Sequence, residues 1–251
     1  MAPLTIVIAF ALGLALGVLG GLFGIGGGVI AIPVLGLAYG MEQQLAQGTA
    51  LVMIAPNVIL GFWGYRQRVG VDHRVAATLA ICAVPATYAA ARFATGLDAA
   101  TLRGAFASFI VALSIYYAYR VLSAGKGRTT RASLAWGWTA IVGVVGGLFS
   151  GMFGVGGGFV APPVLTTFFG YPQAQAQGLA LALIAPGTVI ALATYAHAGQ
   201  VDWAMGVPLA AGGMIGIFGG VAAASKLPEQ TLRLLFCGLL VVTAIVLLHH
   251  G

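Results

Sequence analysis

Charged residues are scarce in this chain of 251 residues. Asp, Glu, Lys and Arg make up 6% of it, against 60% hydrophobic residues and a mean hydropathy of +1.03. A soluble globular protein of this length cannot hide so many apolar side chains in its core. The composition therefore excludes a soluble domain and predicts an integral membrane protein, built from helices of roughly 20 apolar residues each.

Acids are the scarcest charges, and none of them falls inside an apolar segment. Asp72 and Asp202 stand shortly before apolar runs, where a carboxylate can cap the N-terminus of the following helix. A transporter driven by a buried carboxylate relay needs an acid deep within a span, so the sequence argues against such a relay. The five acids are Glu42, Asp72, Asp98, Asp202 and Glu229.

Clusters of reactive side chains are also lacking. Cys82 and Cys237 lie within apolar segments at non-equivalent places, which indicates neither a disulfide nor a metal site. We find no paired carboxylates and no cluster of Ser, His and Asp, so the sequence predicts no enzyme activity, no metal and no cofactor. The net charge of +6 comes from basic residues in short loops, which orient a protein in a lipid bilayer and do not indicate nucleic acid.

Long apolar segments are plentiful, and eight of them can cross a membrane as helices. They lack the alternation of period two that a transmembrane barrel requires. Two shorter apolar runs, residues 29–39 and 159–169, each follow three consecutive glycines directly. The eight long segments are residues 4–22, 45–65, 75–95, 102–122, 133–150, 176–196, 204–224 and 231–249.

The chain repeats itself at an offset of 130 residues. Between residues 23–65 and 153–195, 20 of 43 positions are identical without a gap, which indicates an internal duplication. We therefore predict an all-α integral membrane protein with two homologous halves, residues 1–122 and 132–251, joined by a basic linker at 123–131. Each half has four long helices and one short broken helix.

The two halves face either the same way or opposite ways. If the short runs only enter the membrane, each half crosses four times and the repeats are parallel; if they complete a crossing, each half crosses five times and the repeats are inverted. Five crossings place nine basic residues on one side and two, Arg92 and Arg103, on the other. This split favours inverted repeats, with the linker cytoplasmic and both termini extracytoplasmic. The nine are Arg66, Arg68, Arg74, Arg120, Lys126, Arg128, Arg131, Lys226 and Arg233.

The triple glycines fit poorly with simple helix packing, which needs a glycine only at every fourth residue. They permit an unwound turn, and the helix that follows begins with backbone N–H groups that lack partners and attract an anion. Interrupted segments at corresponding places in two halves are typical of a transporter's binding site. We predict that Gly27→Ala and Gly157→Ala impair transport without loss of stability. The six glycines are Gly26, Gly27, Gly28, Gly156, Gly157 and Gly158.

A few polar side chains inside the spans are further candidates. The amide N–H groups of Gln47 and Gln177 could donate to an oxyanion, or could instead bond one helix to another. Thr49 and Asn57 have no polar counterpart in the second half, so a role for them makes the site asymmetric. Tyr residues that end the same segments, at positions 65 and 195, read as anchors at the membrane interface. Glycines at four-residue spacing, such as those at 13, 17 and 21, read as packing contacts.

The doubled motifs FGIGGGVIAIPVL and FGVGGGFVAPPVL, followed by AQGTAL and AQGLAL, resemble the sulfite exporter TauE/SafE family, also called the 4-toluene sulfonate uptake permease family. The resemblance spans both halves. It implies a multi-pass permease of the bacterial inner membrane that carries a small sulfur-containing anion such as sulfite or an organosulfonate. Export is the favoured direction, and proton-coupled uptake of an organosulfonate and an anion-selective channel are the alternatives. The anion and the lipid bilayer are the partners, and whether the chain forms a homodimer is open.

Overall fold

The computed structural model describes residues 3–123, 135–155 and 157–250, and its regular structure in these ranges is entirely helical. The linker residues 124–131 and Gly156 lie outside the described residues. The helices of the first half are α1 (Pro3–Phe23), α2 (Gly28–Tyr39), α3 (Gln43–Val69), α4 (His73–Thr95) and α5 (Ala99–Ser123). Those of the second half are α6 (Thr139–Phe153), α7 (Ala161–Phe168), α8 (Gln173–His197), α9 (Trp203–Ala224) and α10 (Glu229–His250).

Seven of the described helical stretches are long and apolar enough to span a bilayer, as predicted for an integral membrane protein. Helix α2, with 12 residues, and helix α7, with 8 residues, are the short members of the two halves. Helix α2 begins at the third glycine of the first triple glycine, and α7 begins three residues after the last glycine of the second. The remaining helices place their charged residues within about two turns of a helix end.

Three of the acids cap helices. Asp72 accepts hydrogen bonds from the backbone N–H of Arg74 at 2.9 Å and of Val75 at 3.4 Å, at the start of α4. Asp202 accepts one from the N–H of Met205 at 3.1 Å, at the start of α9, so both predicted caps are confirmed. Asp98 accepts from the N–H of Thr101 at 2.7 Å before α5, and this hydrogen bonding lowers the pKa of Asp98.

The two halves interlock rather than packing side by side. Helix α1 of the first half lies along α9 of the second, and the equivalent helix α6 of the second half lies along α4 of the first. Helices α3 and α8 pack against each other and against the fourth helix of the opposite half, and α5 packs against α10. The contacts of α1, α3, α6 and α8 with the opposite half are thus repeated with the roles exchanged.

Glycine stripes create the closest of these helix contacts. A methyl group added at Gly13 or Gly17 of α1 would strike the backbone of α9, at Leu209 and Gly213 respectively. In the second half, Gly147 of α6 is equally close to the backbone of Ala83 in α4. Small residues let membrane helices approach until their backbones touch. The packing interpretation of these stripes is therefore confirmed.

Candidate functional site

The first triple glycine forms a turn between α1 and α2. Gly24, Gly26 and Gly27 have positive φ angles of 68°, 72° and 91°, a region that L side chains rarely adopt. Gly27 is the residue that precedes α2, and it has no side chain with which to cap that helix. The N–H groups of Ile30 and Ala31 donate to the carbonyl oxygen of Gly27, at 3.3 and 3.2 Å, and the start of α2 carries the positive end of the helix dipole.

The second turn is built differently. Gly154 ends α6 with a φ of 65°, but residues Gly157–Phe159 form a short 3-10 helix and α7 begins only at Ala161. The prediction that the second copy supplies the same helix start as the first is therefore wrong in detail. The reason lies in the sequence after the glycines, where the second copy has consecutive prolines at Pro162 and Pro163 at the start of a shorter helix.

The two turns touch each other in the interior. A methyl group added at Gly28 would lie 3.2 Å from the Cα of Val155, and one added at Gly158 would lie 3.4 Å from the carbonyl oxygen of Gly24. Gly26 packs against the middle of α3, where its added methyl group would lie 2.6 Å from Val58. We call residues 24–28, 154, 155, 157 and 158 the glycine turns.

Each turn also contacts a glutamine of the opposite half. A methyl group at Gly24 would lie 2.8 Å from the Cβ of Gln177, and one at Gly154 would lie 3.3 Å from the Cβ of Gln47. Both glutamines are buried, with 3% and 0% of their surface exposed. Gln47 Nε2 has no hydrogen-bond partner. The structure therefore packs the aliphatic part of each predicted glutamine against Gly24 or Gly154, the glycine two residues before a predicted triple glycine.

Two tyrosines complete these contacts. The hydroxyl of Tyr65 donates to Oε1 of Gln177 at 2.9 Å, and the hydroxyl of Tyr195 donates to Oε1 of Gln47 at 2.7 Å. Both tyrosines are fully buried, so the prediction that they are interfacial anchors is wrong. The sequence spacing could have indicated these contacts. Gln47 and Tyr65 are 18 residues apart, as are Gln177 and Tyr195, and 18 residues are a whole number of helical turns, so each pair lies on one face of its helix.

These hydrogen bonds show how α3 and α8 run. Tyr65 near the end of α3 meets Gln177 near the start of α8, while Tyr195 near the end of α8 meets Gln47 near the start of α3. The two equivalent helices are therefore antiparallel. Since 18 residues of helix span roughly 27 Å, the two amides lie at opposite ends of the α3 and α8 pair and do not share one site.

A cavity adjoins one of the two glutamines. It lies beside Gln177, and its wall combines a second glutamine and a glycine with aromatic and aliphatic residues. Rings at 23, 117 and 236 pack on one another, with centroids 5.3 Å apart for Phe23 and Phe236 and 4.7 Å for Tyr117 and Phe236. The lining residues are Phe23, Tyr117, Gly158, Pro162, Gln173, Gln177, Leu232 and Phe236.

Thr49 and Asn57, the other predicted side chains of the site, have different surroundings. The hydroxyl of Thr49 accepts a hydrogen bond from the N–H of Asp202 at 2.9 Å, so the Thr49 side chain contacts the loop before α9. Asn57 is fully buried, and neither atom of its amide has a hydrogen-bond partner. Asn57 lies near the first glycine turn, since Met53, one turn before it on α3, contacts Gly27.

The sequence did not single out Ser150 of α6. Its hydroxyl is fully buried and has no hydrogen-bond partner. A methyl group at Gly187, the residue equivalent to Asn57, would lie 3.5 Å from Ser150 Oγ and 2.9 Å from Thr87 Oγ1. Polar groups therefore lie at both equivalent positions. At position 57 of α3 the polar group is the side chain of Asn57 itself, and at position 187 of α8 the polar groups are the hydroxyls of Thr87 and Ser150 from neighbouring helices.

Comparison with known proteins finds one matching family and several similar membrane proteins. The model of the family described as sulfite exporter TauE/SafE matches residues 9–247. A probable membrane transporter protein of Methanocaldococcus jannaschii is 28% identical over 77% of this chain and 72% of the relative. The probable membrane transporter protein YunE of Bacillus subtilis is 24% identical over 99% of both chains. A probable membrane transporter protein of Xylella fastidiosa is 26% identical over 81% of this chain and 77% of its own length. No solved structure matches.

Proposed function

The chain belongs to the sulfite exporter TauE/SafE family of multi-pass membrane transporters, and from that premise we propose that it exports a small sulfur-containing oxyanion, such as sulfite or an organosulfonate, from the bacterial cytoplasm. The observation that carries this proposal is a buried glutamine side chain packed against each glycine turn, with Nε2 of Gln47 left without a hydrogen-bond partner. Amide and backbone N–H groups are donors that suit an oxyanion, whose oxygens accept hydrogen bonds only.

The proposed direction rests on electrostatics. An interior-negative membrane potential favours the exit of an anion by about 2.3 kcal/mol per charge for every 100 mV. Export therefore needs no titrating carboxylate in the membrane interior. The acids of this chain stand at helix starts or in the turns before them, which fits that expectation.

We further propose that the two halves are inverted repeats, with α3 and α8 crossing the membrane in opposite directions. The antiparallel contacts of Tyr65 with Gln177 and of Tyr195 with Gln47 support this arrangement, because parallel repeats would place equivalent helices parallel. The side-chain amide of Gln175, near the start of α8, donates to the carbonyl of Val69 at the end of α3, in agreement. The basic end of α3 then faces the cytoplasm.

Proteoliposomes test this function. Purified protein is reconstituted with sulfite inside, and a potassium diffusion potential, negative inside, is applied. We expect saturable sulfite efflux whose rate increases with the potential and which is absent in vesicles without protein. Efflux that rises linearly with concentration would indicate an anion-selective channel, and absence of flux for sulfite, sulfoacetate, taurine and 4-toluenesulfonate would refute the proposal.

Proton-coupled uptake of an organosulfonate is the second candidate. It is favoured by the aromatic wall beside Gln177, because the rings at positions 23 and 236 offer an apolar surface to an organic group that sulfite lacks. Uptake of 4-toluenesulfonate against the potential, driven by an acidic exterior, would support this candidate over export. Loss of that uptake when a protonophore removes the pH gradient is its control.

A further inference from the structure

Each glutamine that faces a glycine turn is held by a tyrosine from the opposite half. Tyr195 Oη lies 2.7 Å from Gln47 Oε1, the usual length of an O–H···O hydrogen bond and shorter than a typical N–H···O bond. The hydroxyl of Tyr195 also lies 3.5 Å from the carbonyl of Met152, a much weaker contact. The geometry therefore has the tyrosine donating to the amide oxygen.

That hydrogen bond fixes which way the amide group faces. A glutamine side chain offers an acceptor oxygen and a nitrogen with two donors, and rotation about the last torsion exchanges them. With Oε1 of Gln47 engaged by the tyrosine, Nε2 points elsewhere, and it is buried without a partner. A buried donor with no acceptor is costly, which makes it receptive to an acceptor-only ligand.

The second pair repeats the contact between a tyrosine hydroxyl and an amide oxygen. Tyr65 Oη lies 2.9 Å from Gln177 Oε1 and 3.0 Å from the carbonyl of Gly21, so its single proton faces two acceptors. Gln177 lines the cavity together with Gly158 and Gln173. The two pairs use equivalent residues, and roughly 27 Å of helix separates them.

We propose that the two pairs are separate oxyanion subsites, one toward each end of α3 and α8, and that Tyr65 and Tyr195 are positioning residues that hold the amide N–H groups toward the anion. This inference rests on the proposed transport of an oxyanion. It adds that the anion meets Gln177 when it enters from the end of the membrane where α3 ends, and Gln47 when it enters from the other end.

Transport kinetics measured from each side of the membrane, combined with double-mutant cycles between the tyrosines and the glutamines, test this inference. Flux of sulfite is measured in proteoliposomes of known protein orientation, with KM determined from each side. We expect Tyr65→Phe and Gln177→Leu to raise KM about five-fold from the end of α3, because one hydrogen bond contributes about 1 kcal/mol. Tyr195→Phe and Gln47→Leu should raise KM from the opposite side by a similar factor.

The cycle separates positioning from general damage to the fold. If Tyr65 acts through Gln177, Tyr65→Phe has no further effect on KM in the Gln177→Leu protein, yet keeps its full effect in the Gln47→Leu protein. Tyr88→Phe is the matched control, because Tyr88 is 54% exposed on α4, and its KM should equal that of the wild type.

Three results would overturn the inference while the wild type still transports. These are an unchanged KM in both tyrosine variants, equal additivity of each tyrosine with both glutamines, and KM increases that are the same from both sides for all four variants. The last result would indicate one shared subsite. A wild type that transports no oxyanion is a different outcome, because it refutes the proposed function itself.

Discussion

Gly213 of α9 faces Asn57 of α3, so that a methyl group added at position 213 would lie 2.6 Å from Asn57 Nδ2. The glycine thus leaves room for a buried amide that has no hydrogen-bond partner. Burying an unsatisfied polar group lowers stability, whereas an apolar side chain of similar shape does not incur that penalty. A residue retained at such a cost is a candidate for contact with the transported anion.

Asn57→Leu tests this role. We expect the variant to melt at a higher temperature than the wild type, since about 1 to 3 kcal/mol of desolvation cost is removed, and to transport more slowly. The measurements are a melting curve in detergent and sulfite flux in proteoliposomes. Thr49→Val is the comparison, because Thr49 is paired with the N–H of Asp202; it should lose stability and keep its flux. Unchanged flux in Asn57→Leu would leave Asn57 without a transport role.

Gly27→Ala should destabilise the protein, contrary to the sequence-based prediction that stability is unaffected. Gly27 has a φ of 91°, and an added methyl group would lie 2.7 Å from the carbonyl oxygen of Leu16. Gly40→Ala is a matched control, since Gly40 has a φ of 65° but no neighbour within 4 Å of such a methyl group. The control should lose about 1 to 2 kcal/mol for its backbone conformation alone, and Gly27→Ala should lose more. Equal melting temperatures would contradict the steric argument.

The α1 and α9 contact gives a second steric prediction. Gly17→Ala should lower the melting temperature, because its methyl group would strike the backbone of Gly213. Gly104→Ala, on an exposed part of α5 with nothing within 4 Å, should raise stability by about 1 kcal/mol, because alanine forms helix more readily than glycine. If both variants melt alike, the two helices are not in backbone contact.

The orientation in the membrane can be tested by labelling. In a protein without Cys82 and Cys237, Arg68→Cys at the end of α3 should be protected from an external membrane-impermeant maleimide, and Arg92→Cys at the end of α4 should react. Permeabilised cells provide the control, in which both positions should label. Reaction of the Arg68→Cys protein in intact cells would reverse the proposed orientation.

Local patterns in the sequence predicted the helices and their caps. Apolar length located the spans, and Asp72 and Asp202 revealed where α4 and α9 begin, because a cap acts within one turn. The contacts of Tyr195 and Thr49 could not be predicted in this way. Their partners, Gln47 and the N–H of Asp202, are 148 and 153 residues away, and only the antiparallel packing of α3 and α8 and the path of the following loop bring them together.

The interlocked halves impose an order on biosynthesis. Helix α1 leaves the ribosome about 180 residues before α9, the helix that covers its glycine stripe. At roughly 5 to 20 residues per second, α1 waits on the order of 10 to 40 seconds for that partner. During this interval its small-residue face is open to lipid and to other nascent helices. The first half alone is thus an incomplete assembly intermediate, and truncation after the linker should yield a product that membrane proteases remove.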